Sequence, residues 1–132
     1  MFLTQPLSLR TFSIHNRLVL PPMATEKSVG EGEVSKGLCD YYREKTAGGY
    51  FGLVITEHSY INKEGQASVG QVSVSRDTDI EGLKRLVEVV HASGSKVIAQ
   101  INHAGGKAIC ALDGSVMAPA PTGMPYTTTR GE

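Results

Sequence analysis

The chain has 132 residues, 40% of them hydrophobic, and its 13 basic side chains balance 13 acidic ones. That length suffices for one domain burying about 65–70% of its extended-chain surface and is too short for two. Balanced charge without a basic stripe argues against a nucleic-acid binder or an anionic-membrane binder, and no apolar run reaches the roughly 18 residues of a membrane span.

Cys39 and Cys110 are too few and too far apart for a disulfide framework or a CxxC metal clip. The N-terminal MFLTQPLSLR lacks a basic region followed by an apolar core. Reduced thiols in a cytoplasmic protein are the expectation.

Residues 3–10 carry weak signals, and Pro6 argues against a helix, so this segment is expected to lie outside the fold or close one end. Residues 17–23, RLVLPPM, read as a buried strand that stops at Pro21 or Pro22, because proline cannot donate to a ladder. The polar, glycine-bearing residues 24–37 follow as a loop. Ser35 is the expected N-cap of a helix carrying Leu38, Tyr41, Tyr42 and Lys45 at helical spacing until Gly48 and Gly49 end it.

Residues 52–56, GLVIT, form a second short apolar strand with Glu57, His58 and Ser59 at its exit. A long loop over residues 62–77 includes ASVGQVSVS, whose alternation about Gly70 and Gln71 predicts a small hairpin arm. Thr78 and Glu81 have capping-box spacing, and Ile80, Leu83, Leu86, Val87 and Val90 make the stripe of a second helix. Residues 97–102 read as a third strand, mostly apolar but with Gln100 near its end, running into a loop with His103, Gly105 and Gly106. Beyond Lys107, three prolines (Pro119, Pro121, Pro125) and a TTTR run predict a long irregular loop.

The order is strand, helix, strand, helix, strand. Successive parallel strands joined by helices make right-handed crossovers, and near-continuous apolar strands fit a sheet covered on both faces or a barrel wall. In such folds the site lies where polar residues gather at strand C-termini.

Four segments in this order carry a resemblance: NRLVLPPMAT (16–25), YYREKTAGGYFGLVITE (41–57), DIEGLKRL (79–86) and GSKVIAQINHAGGKA (94–108). They resemble the N-terminal part of the old yellow enzyme family of FMN-dependent NAD(P)H:flavin oxidoreductases, or ene reductases. The resemblance implies an α/β fold, the first three β/α units of a (β/α)8 TIM barrel, with residues 1–132 forming a partial FMN-binding domain. It implies FMN as cofactor, NADH or NADPH as reductant and a small activated alkene as substrate. Carried over by position, Pro22, Met23 and Ala24 lie beside the flavin, His58 contacts the ring through its backbone, and Gln100 hydrogen-bonds the polar edge of the isoalloxazine. An amide that both donates and accepts suits that edge.

The sequence also departs from the family. Ala24 stands where many relatives have Thr or Cys, Glu26 where a tyrosine is common, and Gly106 in place of the arginine of an HAGR run. The family's substrate-holding His-His or His-Asn pair, its tyrosine acid and its phosphate-binding glycines and arginine fall beyond residue 132. A whole barrel needs about 250 residues. Residues 1–132 alone are therefore expected to have little or no ene-reductase activity, and no catalytic residue is assigned within them.

Other readings of the same residues stand beside this one. Gln100 alone reads as a strand-end residue satisfying a backbone group, His103 as a loop-orienting group, and His58 as a satisfied surface histidine. Gly105 and Gly106 are a weak signal for an anion cradle, since no helix signal follows them. His58, His91, His103, Cys39 and Cys110 offer no compact zinc-ligand pair. Tyr41 and Tyr42 read as helix-packing residues, and Glu26, Glu31 and Glu33 as a solvated loop. Three strands leave two sheet edges and an inner face, so a second reading is a truncated, inactive barrel fragment stabilised as a homo-oligomer.

Overall fold

The computed structural model describes residues 2–109, so Cys110 and the irregular loop expected after Lys107 fall, from residue 110 onward, outside the described residues. A 3-10 turn at Phe2–Thr4 leads into β1 (Leu7–Ser8), which pairs antiparallel with β2 (Ser13–Ile14). This hairpin lies beside Gly52, Gly94 and Lys96, around the N-terminal ends of the later strands, and so closes one end as expected. The Arg17 guanidinium stacks 4.1 Å over the Phe2 ring, and the Arg17 N–H donates to the Leu3 carbonyl at 2.8 Å, fixing the turn to the start of the sheet.

The expected strands form one parallel sheet, β3 (Val19–Leu20), β4 (Leu53–Ile55) and β7 (Lys96–Ile98), in the spatial order β3-β4-β7. β3 stops before Pro21, as the missing N–H requires. The register pairs Val19 with Leu53 and Lys96, and Leu20 with Val54 and Val97. Because side chains alternate across a strand, Leu20, Val54 and Val97 share one face. That face packs in the core with Leu38, Cys39 and Tyr42 of α1 (Lys36–Thr46) and Leu86 and Val90 of α2 (Ile80–His91). The opposite face is the inner face that three strands alone were expected to leave. Among the described residues it is open: Val19 is 40% and Ile98 46% exposed.

α1 begins where the sequence places it. The Ser35 hydroxyl accepts from the Leu38 N–H at 2.9 Å, and Arg43 and Lys45 in the last turn complement the carbonyl end of the dipole. Tyr42 packs inward as a helix residue, its ring edge-on to Tyr41 with centroids 5.2 Å apart.

α2 starts differently from the expected capping box. Thr78 lies exposed in a 3-10 turn, Asp77–Asp79, and Glu81 pairs with Lys84 at 2.7 Å instead of reaching back. Asp79 instead caps the 3-10 turn that leads into the helix: it accepts from the Arg76 N–H at 3.1 Å and the Ser73 hydroxyl at 2.6 Å. A buried carboxylate offers a stronger acceptor there than a threonine hydroxyl. Ile80, expected in the apolar stripe, is 45% exposed at the first position of the helix.

The hairpin expected over residues 67–74 does not form. Instead β5 (Ser59–Tyr60) extends the line of β4 and pairs in parallel with β6 (Val72–Ser73) on one side. On its other side β5 pairs in parallel with β8 (Ile101–Asn102). Antiparallel hairpin pairing is lost because the turn is held elsewhere: a side chain on Gly70 would come within 2.6 Å of the Glu26 carbonyl, and Gln71 is buried. The strand expected as continuous over 97–102 is interrupted at Ala99 and Gln100. Its bonding to the β4–β5 line nevertheless carries on, through Thr56 N–H to Ile98 O at 2.9 Å, Ser59 N–H to Gln100 O at 2.8 Å and Ile61 N–H to Asn102 O at 3.3 Å.

Candidate functional site at the strand C-termini

Parallel pairing in register brings the exits of β3, β4 and β7 to one edge. Residues 22–24, 57–58 and 99–100 follow these strands directly, so Pro22, Met23, Ala24, His58 and Gln100 lie along a single rim. Pro22 is half-buried, whereas Met23, Ala24 and Gln100 are exposed. The Gln100 backbone carbonyl accepts from Ser59, while its side-chain amide has no hydrogen-bond partner among the described residues. Gln100 therefore does not use its amide to satisfy a neighbouring backbone group. Among the described residues its donor and its acceptor are both unused.

Glu57 ties two of these exits together. Its carboxylate is 2% exposed and accepts from the Thr25 N–H at 3.1 Å, while its own N–H donates to the Tyr42 hydroxyl at 2.7 Å. The Glu57 side chain thereby holds the segment that follows Ala24, and the Tyr42 hydroxyl on α1 holds the Glu57 backbone. Burial pushes the Glu57 carboxyl above its ordinary value, against the lowering pull of Thr25 and His58. The Thr25 hydroxyl is buried without a hydrogen-bond partner among the described residues. Glu26, next in sequence, adopts φ +55, a left-handed conformation that only the tight seat against Gly70 explains.

His58 is half-buried, and it is not a free surface histidine. Its Nδ1 lies 3.2 Å from the Gln71 Nε2, which also donates to Asn102 Oδ1 at 3.1 Å. The Gln71 Oε1 accepts from the Ala67 N–H at 2.7 Å, and the Gln71 carbonyl accepts from the Ser28 hydroxyl at 3.1 Å. Gln71 thus joins the loops that follow all three strands. Sequence reasoning placed it at the turn of a hairpin arm, and nothing in a Gly-Gln pair signals burial.

The acidic loop is also more than solvated. Arg76 donates to Glu31 at 2.5 Å, Glu33 at 3.0 Å and Asp79 at 2.8 Å, clamping residues 31–33 to the start of α2. Burial works against ionisation of Asp79, but the Arg76 guanidinium and the Ser73 hydroxyl outweigh it and hold the carboxyl below its ordinary value. His103 orients its own loop, its Nδ1 accepting from the Gly105 N–H at 3.0 Å. That bond occupies the amide that an anion cradle at Gly105 and Gly106 would use. Cys39 is buried, and burial raises its thiol against the opposing pull of Arg85 and Arg43. No three His, Cys, Asp or Glu side chains gather as a metal site among the described residues, nor is any described helix long and apolar enough to cross a membrane.

Comparison with known proteins decides the family, because residues 2–129 match the NADH:flavin oxidoreductase / NADH oxidase family. The chain belongs to that family. It is 35% identical over 113 residues to an NADH oxidase of Thermoanaerobacter brockii, covering 85% of this chain and 17% of that protein. It is likewise 35% identical over 92 residues to an NADH:acrylate oxidoreductase of Vibrio harveyi, covering 70% of this chain and 9% of the relative. Among solved structures, the old yellow enzyme homologue from Zymomonas mobilis superposes with a TM-score of 0.75 at 22% identity, over 85% of this chain and 31% of that one. The chain therefore spans less than a third of the length of these relatives. Its βαβαβ layer has the fold of the N-terminal part of an old yellow enzyme TIM barrel, and membership of the family implies a flavin with NAD(P)H.

Proposed function

We propose that this chain is the N-terminal, partial FMN-binding TIM-barrel domain of an NAD(P)H-dependent oxidoreductase of the old yellow enzyme type. Pro22, Met23, Ala24, His58 and Gln100 line the flavin ring in this reading. The observation that carries it is the rim itself: three parallel strand exits in register, with the Gln100 amide unpartnered among the described residues. A side chain that carries both a donor and an acceptor fits the alternating imide edge of an isoalloxazine, and the exposed Met23 offers apolar surface to a planar ring.

FMN, when bound, supplies hydride transfer through N5 from NADH or NADPH to an activated alkene. What these residues contribute is position. Gln100 orients the polar edge, the 22–24 backbone sets the height of the ring, and buried Glu57 fixes that backbone through Thr25. Ala24 brings no hydroxyl or thiol to the ring. Placement in the cytoplasm belongs to the same proposal.

Flavin fluorescence titration tests it. FMN emission is expected to be quenched on adding the chain, with Gln100→Ala weakening the apparent affinity about three- to tenfold, the scale of one or two hydrogen bonds. Unchanged emission at saturating protein overturns the reading.

One observation favours a second reading, an inactive barrel fragment held together as a homo-oligomer. Val19 and Ile98 expose 40% and 46% of their surface on the face turned away from the helices. Light scattering distinguishes the two, since a monomer at micromolar concentration removes this reading and leaves the first untouched.

A further inference from the structure

The chemistry of the rim reaches one residue beyond the flavin-facing set. Gln71 is 2% exposed, yet its amide is fully engaged. Its oxygen and nitrogen can be told apart by their partners: the Ala67 N–H, 2.7 Å away, can only donate, so the atom facing it is the carbonyl Oε1. Rotating the amide would set two N–H donors against each other at that distance. The amide nitrogen therefore carries its two hydrogens toward the two remaining partners, Asn102 Oδ1 at 3.1 Å and His58 Nδ1 at 3.2 Å.

A donor facing Nδ1 requires that Nδ1 be bare. A neutral imidazole has one N–H, so in this arrangement the proton sits on Nε2. Among the described residues nothing accepts the hydrogen on that second nitrogen. Asn102 is held by the β8 ladder, and Gln71 by backbone bonds from its own N–H to Ser68 and from Ser28 to its carbonyl. The relay is thus braced from all three strand-exit loops. The ring cannot exchange tautomers without breaking it.

We propose that Gln71 is a positioning residue that locks His58 as the Nε2–H tautomer and so presents a hydrogen-bond donor to a carbonyl oxygen of the flavin at the rim. The donor's use rests on the flavin reading above, whereas the tautomer does not. Where the resemblance gives His58 only a backbone contact, this assigns its side chain a task.

Nitrogen-15 NMR of the histidine-labelled chain, at a pH where the imidazole is neutral, reads the tautomer directly. His58 is expected to show a bare Nδ1 and a protonated Nε2. Gln71→Glu, which replaces the donor by an acceptor, is expected to move the proton to Nδ1 or to retain protons on both nitrogens. Should that variant not fold, Gln71→Met removes the donor without adding a charge and is expected to leave a mixture of tautomers. A protonated Nδ1 in the wild type, or a tautomer unmoved in either folded variant, overturns the positioning role. Adding FMN then reads the donor's use. The Nε2–H resonance is expected to shift downfield, and His58→Ala to weaken FMN about three- to tenfold. FMN that binds, by fluorescence, without moving that resonance overturns the donor role. If FMN does not bind at all, the flavin reading and the donor's use fall together, and the tautomer result still decides the positioning role.

Discussion

The two faces of the β3–β4–β7 sheet come from alternate residues of the same short strands and have opposite surroundings. Leu20, Val54 and Val97 lie under α1 and α2, with Val54 fully buried, whereas Val19 and Ile98 on the other face are about half open. Both faces carry apolar strand residues, with Lys96 on the open one, and it is the helices that decide which face is the core. The lesson is that an apolar strand residue reveals that burial is possible and does not reveal where it occurs.

The comparison breaks most readily at Leu38, which is fully buried between the helices and the sheet. Leu38→Ala is expected to cost about 2–5 kcal/mol of unfolding free energy in urea titration. A loss below about 1 kcal/mol would mean that the helix-covered face is not the principal core. Next comes Tyr42→Phe, which keeps the ring and deletes the acceptor of the Glu57 N–H. Stranding that buried N–H is expected to cost about 1–3 kcal/mol. A neutral result would show that water reaches the strand exit.

Glu57 sharpens the contrast through pH. Its folded carboxyl titrates above its ordinary value of 4.5 because burial disfavours the charge. The folded state then holds a proton that the unfolded state releases, so this group's contribution is full below about 4.5 and is lost as pH rises through the folded value. Stability of Glu57→Gln relative to wild type should therefore climb as pH rises above 4.5 and level off once the folded carboxyl has ionised. A flat difference between the two would rule this linkage out. Asp79 has the opposite sign: its lowered folded value stabilises above 3.8 and is lost as pH falls through it. The smallest effect belongs to the open face. Ile98→Thr is expected to change stability by no more than about 0.5 kcal/mol, and a larger loss would reveal that this face is covered in solution.

The fold was legible wherever a local rule acts alone. Ser35 caps α1 because a hydroxyl before a helical run satisfies an orphan N–H, and β3 ends before Pro21 because proline lacks the donor. The site was legible only as strand exits. Glu57 and His58 could be named at the end of β4, but not the partners that give them roles, because Thr25, Tyr42 and Gln71 lie 32, 15 and 13 residues away from them. The alternation around Gln71 pointed to a hairpin, since period two does not distinguish an antiparallel arm from a strand that pairs in parallel with β5.

The sequence by itself determined three parallel strands, two helices and a rim of polar residues at the strand ends, because apolar periodicity, caps and prolines are local. Only the tertiary structure decided that Asp79, and not Thr78, organises the start of α2, that Gln71 turns inward to hold His58, and that the helices cover one face of the sheet. Those choices depend on which distant groups meet in a desolvated space, where an unpaired donor or acceptor is costly enough to override local preference.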